Sequence, residues 1–163
     1  MAETLQLVQG DKKTQYESLL PQIKGLITGE PNLIANMANM AAAIKTQFNW
    51  LWVGFYLVES DDQLVLGPFQ GPIACTRIKK GRGVCGSSWA VEKTLIVPDV
   101  EKFPGHIACS SLSKSEIVVP LWLNGRIAGV LDIDSELLDQ FDETDQLYLE
   151  KILELLNNNS TTA

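Results

Sequence analysis

At 163 residues, with 45% apolar and 20% charged residues, the chain is sized for one domain. A domain of this size buries roughly 70% of its unfolded surface without needing metals or disulfides. The net charge of −7 excludes nucleic acid and anionic membranes as partners held by bulk electrostatics. No apolar run approaches the ~18 residues of a membrane span, and the N-terminus lacks a secretory signal's basic start, so a reducing cytoplasm is the expected location.

In chain order, residues 1–10 read as loosely held. From Asp11 a helix is expected, with Tyr16, Leu19, Leu20, Ile23 and Leu26 on one face, a kink at Pro21 and a stop at Gly29. A second helix covers "PNLIANMANMAAAIKTQF", with Pro31 in its first turn and methionines as core filler. "WLWVGFYLVES" and "QLVLGPFQG" form a hairpin that places Trp52, Gly54 and Tyr56 on one strand face. The segment "IACTRIKKGRGVCG" begins extended and turns glycine-rich. "SSWAVEKT" then reads as a helix and "LIVPDV" as a short strand.

"SEIVVPLWLNGRIAGVLDIDS" is the clearest hairpin. A two-residue turn at Asn124-Gly125 would put Glu116 on the opposite face from Asp132 and Asp134. A three-residue turn, Leu123-Asn124-Gly125, pairs Trp122 with Arg126 and Glu116 with Asp132 instead. It gathers Ile117, Val119, Leu121, Ile127, Leu131 and Ile133 on the core face, and Glu116, Val118, Asp132 and Asp134 on the other. A one-residue slip is costly when one face is buried, so the second register is preferred. The last helix lies within "FDETDQLYLEKILELL", capped by Asp142, with Leu147, Ile152, Leu155 and Leu156 buried; residues 157–163 should fray. The expected architecture is a single α+β domain over residues 1–163, with helices packed on one face of an antiparallel sheet.

Cys75, Cys85 and Cys109 are an odd number, so they cannot form a fully paired framework within one chain. In a reducing compartment a disulfide among them would be transient and catalytic. The spacings C-x9-C and H-x2-C, with His106, match no common zinc pattern, so no metal site is assigned. Read singly, an unpaired cysteine is most often a small core residue, and alternating aspartates often mark a strand end in solvent. Together, three carboxyls on the sheet face beside a cysteine are less ordinary. Crowding and burial raise carboxyl pKa values, so one acid can hold a proton while others attract a cation such as an α-ammonium. If the stretch around His106 is helical, a protonated imidazole three residues before Cys109 would favour its thiolate. These groups specify a redox-capable thiol protein and no substrate.

From about Gln47 to Leu153 the chain resembles the free methionine-(R)-sulfoxide reductases, a catalytic branch of the GAF-domain proteins. The resemblance rests on "NWLWVGFY", "GPFQGPIAC", "GRGVCG", "VPDVEKFPGHIAC", "SEIVVPL" and "GVLDIDS". It implies a GAF fold and an oxidoreductase that reduces free methionine (R)-sulfoxide in the response to oxidative stress. By the resemblance Cys109 is the catalytic cysteine, and Cys75 and Cys85 are redox cysteines, either able to form the disulfide. Trp52 and Tyr56 correspond to the aromatic pocket, and Glu116, Asp132 and Asp134 to the substrate-binding acids. It further implies no bound cofactor, recycling by thioredoxin and a homodimer. "TRIKKGRG" is more basic than the family's loop, and Ser110 stands where an acidic residue is expected. The rival readings are a non-catalytic GAF module that binds a small molecule and a thiol redox sensor.

Overall fold

The computed structural model describes residues 4–107 and 109–160; the frayed ends expected at 1–3 and 161–163 lie outside them. The chain runs α1 (Lys12–Ile27), α2 (Leu33–Phe48), β1 (Trp52–Ser60), β2 (Gln63–Gln70), β3 (Arg77–Lys79), α3 (Gly83–Val91) and β4 (Leu95–Val97). A 3-10 turn at Val100–Lys102 follows, then β5 (Ser115–Leu123), β6 (Arg126–Ser135) and α4 (Glu143–Ser160). The six strands form one antiparallel sheet in the order β3-β2-β1-β6-β5-β4.

The alternation of β1, β5 and β6 gives this sheet two apolar faces. One carries Phe55, Val119 and Leu131, covered by Tyr16, Met40 and Leu149 from α1, α2 and α4. The other carries Trp52, Tyr56, Val118 and Val130 and packs against Cys85 and Trp89 of α3. The expected helical layer is therefore α1, α2 and α4, while the short α3 lies on the opposite face and roofs a second, smaller core. Gly83 opens α3 at φ +61°, and the glycine-rich stretch that reads as a loop is already its first turn.

Local signals account for the helix ends. Asp11 accepts from the backbone N–H of Thr14, and Asn32 does the same for Ala35, so Pro31 precedes the cap of α2 rather than filling its first turn. The first helix runs through Pro21 as one element. Asp142 accepts from the N–H groups of Thr144 and Asp145, while the Asp145 carboxylate accepts from Asp142 N–H, a reciprocal capping box. Fully buried Asp145 also accepts from Lys12 Nζ and Tyr16 Oη, which ties α4 to α1.

Some boundaries differ from expectation. Leu147 is 50% exposed, and Tyr148, Leu149, Ile152, Leu153 and Leu156 form the buried stripe of α4. Residues 157–160 continue that helix instead of fraying. In the first segment Gln6 bonds to Gln22, and Val8 to Gln47, so residues 4–10 are anchored along α1 and α2.

The β5–β6 register also differs. Leu123 pairs with Arg126 across a two-residue turn in which Asn124 and Gly125 both have positive φ. A bulge then inserts Ala128, so Leu121 pairs with Gly129 and Glu116 with Asp134 rather than Asp132. The extra residue sits in β6 instead of the turn. Either placement restores the same alternation, so the three acids still share a face. Ile127 precedes the bulge and moves to the α3 side.

Candidate active site

The α3 side of the sheet opens into a cleft of about 610 Å³. Strand β1 supplies Trp52 and Tyr56 to it, β5 supplies Glu116, and β6 supplies Asp132 and Asp134. The first turn of α3 adds Cys85, and the loop before β5 adds His106, Cys109, Ser110 and Ser113. Cys75 adjoins the cleft through its carbonyl, which accepts from Tyr56 Oη at 2.8 Å. All eight residues singled out from the sequence thus meet in one place.

Pairing across the sheet explains the convergence. Trp52 and Glu116 each pair with Asp134, and Gly54 pairs with Asp132. Glycine at 54 leaves room for the Trp52 indole to lie across the strand, and the ring stacks on Phe69 with centroids 5.2 Å apart. Its Nε1 donates to the Pro72 carbonyl at 3.0 Å, which fixes the plane of the ring as one apolar wall.

The acid cluster is buried and starved of counter-charge. Glu116 and Asp132 are 6% and 7% exposed, and the Cys85 sulfur lies 3.9 Å from Glu116 Oε1. Burial, followed by the charges of Asp132 and Asp134, pushes the Glu116 carboxyl well above its ordinary range. Asp132 moves the same way, through burial and then Asp134. Burial raises Asp134 to about 6, against the hydrogen bond it accepts from Ser113. Asp134 is therefore the member readiest to ionise, while Glu116 and Asp132 are biased toward their protonated forms. Burial and the same carboxyls hold Cys85 as a thiol. Oδ1 of Asp132 is buried without a partner.

A sulfur and two carboxyl oxygens, from Cys85, Glu116 and Asp132, lie within 4.8 Å of one another, the one such potential metal-ligating group among the described residues. It is not the Cys-His set weighed from the spacing. Burial biases all three groups toward their protonated forms, and each must ionise to bind a cation as a ligand.

The cysteines divide two to one. Cys75 and Cys109 are joined as a disulfide, with Cα atoms 5.4 Å apart across 34 residues of sequence, and Cys85 is free and buried. Both bonded residues are half-buried, and Cys109 lines the cleft. His106 occupies a turn and not a helix, and burial lowers its imidazole pKa, so it supplies no cation to Cys109. Three contributors escaped the sequence reading: Ser113, which fixes Asp134; Gly54, which seats Trp52; and Arg82, which also lines the cleft.

A model of the GAF domain matches residues 34–158. The chain is 43% identical to the free methionine-R-sulfoxide reductase of Saccharomyces cerevisiae, with 90% of this chain and 86% of that one covered. It superimposes with a TM-score of 0.94 on the X-ray structure of free methionine-R-sulfoxide reductase from Neisseria meningitidis in complex with its substrate. That pair is 55% identical over 97% of this chain and 95% of the other. The chain belongs to the free methionine-R-sulfoxide reductase family. The family's GAF scaffold also occurs in GAF domain-containing protein A of Dictyostelium discoideum, which is 69% identical over 97% of this chain and 100% of its own length. Among the described residues of this reductase-family chain, no helix is long and apolar enough to cross a membrane.

Proposed function

We propose that this protein reduces free L-methionine (R)-sulfoxide to L-methionine. The observation that carries this reading is a Cys75–Cys109 disulfide at the lip of a cleft floored by buried acids. In the reduced protein the Cys109 thiolate attacks the sulfoxide sulfur. A protonated carboxyl, Glu116 or Asp132, gives its proton to the departing oxygen, because bare oxide is a poor leaving group. The S–O bond breaks, and the hydroxide so formed attacks the Cys109 sulfur. The bond between the two sulfurs breaks, so methionine leaves as the thioether with the electron pair and Cys109 becomes a sulfenic acid. The Cys75 thiol then attacks the Cys109 sulfur, water departs, and the disulfide forms. The balance is one sulfoxide and two thiols to one thioether, one disulfide and one water.

The aromatic wall of Trp52 and Tyr56 receives the apolar end of the substrate, and ionised Asp134 attracts its ammonium. Cys85, as a thiol beside Glu116, helps hold that carboxyl in place. We assign no bound cofactor: electrons come from an external dithiol, thioredoxin in a reducing cytoplasm. Exposed Ile73 and Leu112 stand two and three residues from Cys75 and Cys109, and offer apolar contacts beside the disulfide. We also assign a homodimer; Trp122 on β5, 41% exposed, is an apolar side chain open to such a contact.

The substrate must be a free amino acid, because only that form brings an ammonium into the acid cluster. Sites built around a polar partner reject analogues lacking it by ~10⁴ or more. Initial rates of methionine formation with a dithiol should therefore be high for the free sulfoxide and near background for its N-acetylated, C-amidated form. Comparable rates for the two would refute the assignment.

A further inference from the structure

The catalytic cycle gives Cys85 only a supporting part, yet this thiol and two of the acids form a group of their own. Cys85 comes from α3, Glu116 from β5 and Asp132 from β6, and their sulfur and two carboxyl oxygens converge within 4.8 Å. The three residues are 3%, 6% and 7% exposed. Neither they nor neighbouring Asp134 join a salt bridge among the described residues. Arg82, the arginine on the cleft wall, is exposed and pairs with none of them.

Two separate observations point to a cation. The first is spacing. Zinc held tetrahedrally by a thiolate and a carboxylate sets sulfur and oxygen roughly 3.5 Å apart, and Cys85 Sγ stands 3.9 Å from Glu116 Oε1. The second is Oδ1 of Asp132, buried without a hydrogen-bond partner on the floor of the cleft. A bare buried acceptor costs free energy that a bound cation recovers. The donor set narrows the choice of ion. Thiolate sulfur disfavours magnesium and calcium, whereas one sulfur and two oxygens, with the open cleft supplying water as a fourth ligand, suit zinc. The protons on these groups are no bar. The ion brings the positive charge that the cluster lacks, and it deprotonates a coordinating thiol outright.

We propose that Cys85, Glu116 and Asp132 form a zinc-binding site that switches the reductase off. The binding site stands on geometry alone, and its effect on turnover rests on the reductase reading. Zinc displaces the acid protons to water, so neither Glu116 nor Asp132 can protonate the departing oxygen. Its charge also repels the substrate's ammonium from the cleft floor. Zinc and sulfoxide therefore compete, and removal of the ion restores the enzyme. Cys85 lies outside the Cys75–Cys109 disulfide, so the site persists when the other two thiols are oxidised.

The test begins with oxidised protein, in which Cys85 is the one free thiol. Titrated with zinc chloride alone against a chromophoric chelator, wild type should bind one ion per chain. Cys85→Ser and Asp132→Asn should each bind it about 100-fold more weakly. Cobalt(II) in place of zinc should give wild type a thiolate-to-cobalt charge-transfer band that Cys85→Ser lacks. Reduced protein is then mixed with free methionine (R)-sulfoxide, without a dithiol that would itself take up zinc. Zinc at about ten times its dissociation constant should slow methionine release about tenfold. Excess sulfoxide should relieve this inhibition and EDTA should reverse it, and Cys85→Ser should need about 100-fold more zinc to halve its own rate. A wild type without the cobalt band, or equal zinc affinity in wild type and Cys85→Ser, would overturn the site. Tight zinc binding with methionine release unchanged would overturn its inhibitory role. Wild type that releases no methionine even without zinc would overturn the reductase reading, and the zinc and cobalt titrations would still decide the site.

Discussion

Ser113 donates a hydrogen bond to Oδ1 of Asp134, which links the cysteine-bearing loop, four residues past Cys109, to the end of β6. This bond steadies the acid most ready to ionise in a cluster that otherwise resists charge. Its consequence is a pH-dependent stability whose sign follows from burial. The folded-state pKa of Asp134 is raised to about 6, so the folded protein binds this proton more tightly than the unfolded chain does. Stability from this group is complete below the unfolded pKa near 4 and falls as pH rises toward 6. Asp134→Asn should therefore match wild type in urea unfolding at pH 4 and exceed it at pH 7, by on the order of 1–3 kcal/mol. Activity should fall in the same variant. A variant no more stable than wild type at pH 7 would contradict the burial argument.

Gly54 gives the aromatic wall its shape. A Cβ at this position would lie 2.3 Å from Cβ of Phe69 and 2.4 Å from Cη2 of Trp52, closer than packed carbons approach. Gly54→Ala should cost about 1–3 kcal/mol in stability from overpacking. Displacing the Trp52 ring should lower kcat/KM for free methionine sulfoxide by on the order of 100-fold. Indole fluorescence and steady-state kinetics on the folded variant check both effects.

Reductant docking can be separated from sulfoxide chemistry. Leu112 is 52% exposed beyond Cys109 and does not line the cleft, whereas exposed Ile73 stands at its edge. Leu112→Asp should raise KM for thioredoxin about tenfold, as loss of an apolar anchor does, with rates on a small dithiol kept within about twofold. Parallel assays with the two reductants measure this. An equal fall with both would place Leu112 in the sulfoxide site instead.

Much of this arrangement was legible in the sequence, and particular residues show why. Trp52 and Tyr56 had to share a face because strand alternation fixes them on one side. The acids on β5 and β6 emerged together despite an incorrect register, since an extra residue in the turn or in β6 restores the same alternation. The bulge at Ala128 left no mark in a run of small and branched side chains, and Ile127 was misplaced with it. The start of α3 was hidden because Gly83 and Gly86 resemble loop residues. Gly86 is there because a Cβ would lie 2.3 Å from the Lys79 carbonyl oxygen, a contact visible only in three dimensions. Ser113 and Arg82 were silent for a similar reason: one reaches Asp134 only when its loop meets β6, the other lines the cleft only through the placing of its helix end. The choice between Cys75 and Cys85 as partner of Cys109 was also closed to sequence, because spacing does not report which sulfurs meet.

In the proposed cycle the sulfur of Cys109 takes oxygen from the substrate, and Cys75 follows it. Its most direct test is the amount of methionine released per chain when fully reduced protein meets excess free methionine (R)-sulfoxide without added reductant. Wild type should release one equivalent and end with Cys75 bonded to Cys109. Cys75→Ser should also release one but stop at a sulfenic acid that dimedone traps, and Cys109→Ser should release none. A full equivalent of methionine from Cys109→Ser would contradict the account.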